Sequence, residues 1–129
     1  METAQRSGAT SPMVFALSRS DVDLDAVRER VGNDERLVRF VVRSFLAEAP
    51  RLLEQLREAA ETHAIDELHT LAHSLKGIAA NVSAHSVRQA AQQLEEDARR
   101  ARVDHAEQRI DDLAMRVRRA AWFLEQSAH

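Results

Sequence analysis

From Leu24 to Leu124, apolar residues recur three or four positions apart with little to interrupt them. That is the period by which an α-helix turns one face inward. A sheet protein of this size needs many tight turns, and the chain has only three glycines and two prolines. The expected fold is therefore all-α. The gaps between periodic stretches are short, so neighbouring helices should run antiparallel. The architecture that follows is an antiparallel up-down four-helix bundle with an additional short N-terminal helix.

Residues 1–20 fall outside the pattern. They are rich in Ser, Thr, Gly and Ala and read as a flexible leader or linker, with Met13, Val14, Phe15 and Leu17 able to dock on the domain. The bundle is expected over residues 21–129. Leu24, Val27 and Val31 mark the short first helix. Gly32 stands where a helix ends, and Asn33 or Asp34 can cap the next one. In the second helix Val38, Val42, Phe45, Ala49, Leu52, Leu53, Leu56 and Ala60 share a face. Pro50 lies inside it, and because the apolar phase carries through, a kinked but continuous helix is predicted. The third helix is predicted over about Ala64 to Asn81. The fourth is predicted over about Ala84 to Arg102, with Val87, Ala91, Leu94, Ala98 and Ala101 inward. Asp104 and Glu107 have the spacing of a capping box for a fifth helix. Its inner face would be Ala106, Ile110, Leu113, Val117, Ala121 and Leu124, with Trp122 and Phe123 closing the end of the bundle.

Composition removes several classes of function. The net charge is −3, which gives no broad basic surface for nucleic acid. No apolar run approaches the roughly 18 residues of a membrane span. The patch from Met13 to Leu17 is too short for a signal peptide, so a soluble cytoplasmic protein is expected. There is no cysteine for disulfides or thiolate metal sites. No Gly-rich nucleotide-binding segment is present, so no kinase activity is expected.

The third helix carries the chemistry. Leu68, Leu71, Leu75, Ile78, Ala79 and Val82 point to the core. Asp66, His69, Thr70, His73, Lys76, Gly77 and Ala80 face outward. Gly77 costs roughly 1 kcal/mol against alanine in a helix interior, and no turn is wanted there. A steric reason fits: one turn beyond His73, a missing side chain lets another molecule approach the imidazole, and Ala80 extends the clearing. Of 18 basic residues 17 are arginine, and the single lysine is Lys76, one turn from His73. A phosphoryl group on imidazole adds nearly two negative charges, which an ammonium on the same face offsets. Imidazole is a nucleophile when unprotonated, and its ordinary pKa of about 6.5 leaves it so at neutral pH. The second ring nitrogen needs a partner to fix the tautomer, and Gln92 and Glu95 on the fourth helix are the candidates.

Ala72-His73-Ser74-Leu75-Lys76-Gly77-Ile78-Ala79-Ala80-Asn81 resembles the signature of histidine-phosphotransfer (HPt) domains. The stretch from Phe40 to Leu56, with Glu48 before Ala49-Pro50, is similar to the family's long second helix, and Gln93-Leu94-Glu95 to its fourth. The resemblance covers about residues 21–126. It implies a phosphorelay carrier, with His73 as phosphoacceptor, Lys76 as phosphoryl stabiliser and Glu95 orienting the ring. His69, Thr70, Ser74, Gly77 and Ala80 would line the receiver-docking face. The partners implied are receiver domains of response regulators and of a hybrid sensor kinase. The aspartate and Mg2+ for transfer would belong to the receiver, so this chain would hold no cofactor and act as a monomeric carrier rather than a kinase. It would be either a free-standing shuttle or the C-terminal domain of a hybrid sensor kinase, in which case the parent chain would be an enzyme.

Two other readings compete. His69 and His73 have the i, i+4 spacing of a zinc pair, and Asp66 and His69 the carboxylate-x-x-His spacing of di-iron bundles. Those bundles need a second such pair directed inward, and the chain has none, so no metal site is expected. His63, His85 and His105 lie near helix ends and need no special role. The remaining alternative is a silent docking or adaptor bundle. A scaffold of that kind has no use for a nucleophile or a mid-helix glycine.

Overall fold

A computed structural model of the protein describes residues 22–127. The leader, with its Met13 to Leu17 patch, lies outside the described residues. Five helices follow in order: α1 Leu24–Arg30, α2 Glu35–Glu61, α3 Ile65–Asn81, α4 His85–Arg99 and α5 Ala106–Ser127. Helix α2 packs on α3 and α5, and α4 also packs on α3 and α5, while α1 lies against α2. This is the expected four-helix bundle with a short extra helix. None of the described helices is long and apolar enough to cross a membrane.

Local chemistry sets the helix starts. The Asp23 carboxylate accepts from the Ala26 amide (3.1 Å) at the head of α1. Asp34, rather than Asn33, caps α2 by accepting from the Arg36 amide (2.9 Å). Each satisfies an amide that the first helical turn leaves without a partner. Helix α2 is continuous through Pro50, which sits exposed on its outer side. There the carbonyl that loses its partner can turn to water.

The core is one cluster from all the helices. Phe45, Leu56, Leu68, Leu75, Leu94, Ile110, Leu113 and Leu124 are fully buried, each worth about 1.5–3 kcal/mol in water-to-core transfer. Ala49, Ala72, Ala79, Ala91, Ala98 and Ala120 are buried between them. These small side chains are what lets the helices approach closely.

The helix ends explain how the chain manages with so little glycine. At the end of α2, the His63 amide donates to Ala60 O (3.2 Å) and the Ala64 amide to Ala59 O (2.8 Å). The same paired bonds end α3 (Ser83 to Ala80, Ala84 to Ala79), α4 (Ala101 to Ala98, Arg102 to Asp97) and α1 (Gly32 to Glu29, Asn33 to Arg28). This is the Schellman arrangement, which needs a left-handed residue just past the cap. Gly32 supplies it for α1, as its position predicts, but His63, Ser83 and Ala101 supply it elsewhere, with φ of 54°, 54° and 57°.

That arrangement corrects three expectations. Helix α4 ends at Arg99 and not Arg102, and Ala101 is exposed instead of inward. Helix α5 begins at Ala106, one residue later than the Asp104/Glu107 signature requires; His105 precedes it, with Nδ1 3.1 Å from Gln108 Oε1. Trp122 does not close the bundle: it is 57% exposed, while Phe123 packs against the core. Ala120 and Ala114 take the buried places on α5, and Ala121 is half-buried.

A left-handed alanine is strained by its Cβ. Ala101→Gly is therefore expected to stabilise the fold by about 0.5–1 kcal/mol, raising Tm by roughly 2–6 °C. A calorimetric scan checks this, and an unchanged or lower Tm would show no strain at that residue.

Candidate functional site

Helices α3 and α4 form a helical hairpin joined by residues 82–84. Leu68, Leu71, Ala72, Leu75 and Ala79 anchor α3 in the core. The opposite face follows from that phase. Thr70, His73, Ser74, Gly77 and Ala80 are exposed on it, and His69 and Lys76 are half-buried at its border. Every outward residue expected from the sequence is found outside the core.

On α4, the burial of Ala91, Leu94 and Ala98 turns Glu95 to the seam with α3. One carboxylate there serves three side chains. Glu95 Oε2 lies 2.8 Å from His73 Nδ1, and Oε1 lies 2.6 Å from Lys76 Nζ. His69 Nε2 stands 3.7 Å from Oε2. Gln92, the other candidate, is exposed. The Glu95 side chain is 14% exposed, that of Lys76 27% and that of His73 64%. The ion pair is thus sheltered while the ring stands in solvent.

Burial works against the charge on Glu95. The hydrogen bonds from Lys76 and His73, and their favourable charge interactions, outweigh it and hold the carboxyl below its usual value. Ionised, the carboxylate can only accept, so the hydrogen on His73 must sit on Nδ1. Nε2 then carries the free lone pair.

Gly77 is not required by the chain's own packing. A Cβ built on it would meet nothing within 4 Å, and Gly32 is the glycine with positive φ among the described residues. The space above position 77 is open, as the steric argument requires.

Two features were not foreseen. Lys76 was expected to await an incoming phosphoryl group, but in the unmodified protein it is already paired with Glu95. Arg30 of α1 also braces the end of α3: its Nη2 donates to Ala80 O (3.1 Å) and Asn81 O (2.9 Å), and its Nη1 to Ser83 Oγ (3.1 Å). The Asp23 amide donates to Ser83 O (3.1 Å), and Val22 bridges to Ala84. No local sequence signal marks Arg30, because its partners lie some 50 residues away. Among the described residues no group of three or more His, Asp or Glu side chains is arranged to hold a metal ion.

A bundle with an exposed histidine braced by a carboxylate and an ammonium matches a known family. The chain belongs to the Hpt domain family, whose profile matches residues 41–126. That membership places it among the histidine-phosphotransfer domains of phosphorelays. In fold it is similar to histidine-containing phosphotransfer protein B (HptB) from Pseudomonas aeruginosa PAO1, known from a crystal structure. The TM-score is 0.78 at 21% identity, over 84% of this chain and 94% of that one. No curated protein matches the chain in sequence.

Proposed function

We propose that the protein accepts a phosphoryl group on His73 Nε2 from the aspartyl phosphate of one receiver domain and passes it to another. The observation that carries this reading is the Glu95–His73 contact, which holds the proton on Nδ1 of an otherwise exposed ring. The Nε2 lone pair attacks phosphorus, the P–O bond breaks, and its electron pair returns to the receiver carboxylate. No proton moves. The ring becomes an N-phosphorylated imidazolium whose Nδ1–H stays on Glu95, and it leaves as neutral imidazole in the reverse step. Such a carrier needs reversibility, and a ring that never has to lose its proton provides it.

Lys76 stands one turn from His73 and offsets the charge of the phosphoryl group. Gly77 and Ala80, with His69, Thr70 and Ser74, form the face on which the receiver seats. The aspartate and the Mg2+ that activate phosphorus belong to the receiver, so this chain contributes the nucleophile and its surroundings and no kinase activity. The receivers would be those of a hybrid sensor kinase and of its response regulators, and the carrier would work as a cytoplasmic monomer.

The test is a phosphotransfer profile of this protein against the purified receivers of its source organism. Acid-labile label should pass to it from at least one phosphorylated receiver within minutes. A protein that takes label from none of them is not a phosphorelay carrier. In the same assay Lys76→Ala is expected to slow transfer on the order of tenfold, the equivalent of one exposed charge contact in a transition state. Unchanged transfer rates would leave the lysine with no role beyond its pairing with Glu95.

A further inference from the structure

We infer that Glu95 sets how readily His73 gives up its phosphoryl group, by competing with that group for Lys76; this rests on the phosphorelay reading above. Lys76 is the only ammonium side chain in the sequence. In the bare protein it is 2.6 Å from Glu95 Oε1 and largely sheltered, so its charge is already answered. A phosphoryl group on Nε2 brings nearly two negative charges to the same face. Lys76 cannot serve both partners at full strength. The carboxylate does not withdraw by protonating, because its contacts favour the ionised form. The phosphorylated site therefore holds a carboxylate and a phosphoryl group against one ammonium and the imidazolium ring. His69, whose Nε2 is 3.7 Å from Glu95, adds a further cation only when protonated. The surplus of negative charge raises the free energy of the loaded state, which makes His73 a better donor than acceptor.

Glutamine at position 95 separates this role from ring orientation. Its amide oxygen still accepts from Nδ1–H, but it carries no charge and leaves Lys76 to the phosphoryl group. Phosphoramidate allows a measurement without a receiver. The Nε2 lone pair attacks its phosphorus, the P–N bond breaks, and the nitrogen departs with the bonding pair as ammonia. At one pH and one ammonium concentration, the phosphorylated fraction of the full-length protein, read by intact mass, gives an equilibrium constant.

Glu95→Gln is expected to raise that constant on the order of tenfold, the size of one like charge removed a few ångströms away near a protein surface. Lys76→Ala is expected to lower it. In the Lys76→Ala background, Glu95→Gln should gain clearly less than in the wild type, because there is no ammonium left to compete for. Nitrogen NMR of the His73 ring should report the same Nδ1–H tautomer in Glu95→Gln as in the wild type, and Glu95→Ser provides a second neutral variant. A constant unchanged or lowered in both neutral variants overturns the inference, and so does an equal gain in both backgrounds. If the wild type takes no phosphoryl group at all, the phosphorelay reading fails and this inference with it.

Discussion

Replacing His73 by glutamine is expected to reduce phosphoryl uptake to background while leaving the helical fold intact. Glutamine carries an amide nitrogen with no available lone pair, so no N–P bond can form. The fold should not register the change, because the His73 side chain is 64% exposed and its polar contact is with Glu95 alone. The Glu95–Lys76 pair remains in the variant. Circular dichroism should superpose on the wild type and Tm should stay within about 2 °C, as for a surface substitution away from a cap or core. Acid-labile label persisting in His73→Gln would move the acceptor to another side chain. His69 would be the first to examine, since it shares the same carboxylate.

The second large effect is a separation of stability from function at Gly77. Gly77→Leu should make the bundle slightly more stable, by roughly 0.8 kcal/mol on helix propensity, since no neighbouring atom lies within 4 Å of the new Cβ. Helical side chains lean toward the N-terminus of their own helix, so a leucine here reaches back over His73. A docking receiver would be held about an ångström or more from its working position, and a misplacement of that size costs on the order of 100-fold in rate. Phosphoramidate, being small, should still label the variant. The predicted signature is thus an unchanged or raised Tm, retained labelling by phosphoramidate, and transfer from receivers down by two orders of magnitude. Wild-type transfer from receivers would show that position 77 is not under the docked partner.

The sequence was most legible where the physics is local and periodic. The apolar phase identified Leu68, Leu71, Leu75 and Ala79 as core, and with them the outward residues from His69 to Ala80. The mid-helix glycine and the lone lysine then pointed to the right turn of α3. Periodicity was silent on where helices stop. Ala101 keeps the apolar phase of Leu94 and Ala98, but the chain leaves the helix at Arg99 through a left-handed alanine that no composition rule marks. The same one-residue uncertainty displaced the cap of α5. For the ring's partner, antiparallel packing narrowed the choice to two residues of α4, and only the relative rotation of the helices separated Glu95 from Gln92. The Lys76–Glu95 pair and the Arg30 brace are contacts between segments, so neither was written in any local pattern.

The hairpin of α3 and α4 has a consequence for how the protein comes to be active. His73, Lys76 and Glu95 all lie on it, and the longest separation within this trio is 22 residues. Closing a loop of that length is entropically cheap and fast. The trio can meet as soon as those two helices pair, whether or not the C-terminal helix has yet been synthesised. Destabilising substitutions in α5 should therefore lower the amount of folded protein without altering the chemistry of each folded molecule. The activity of this carrier should track its abundance, and its nucleophile should be among the first parts of the chain to mature.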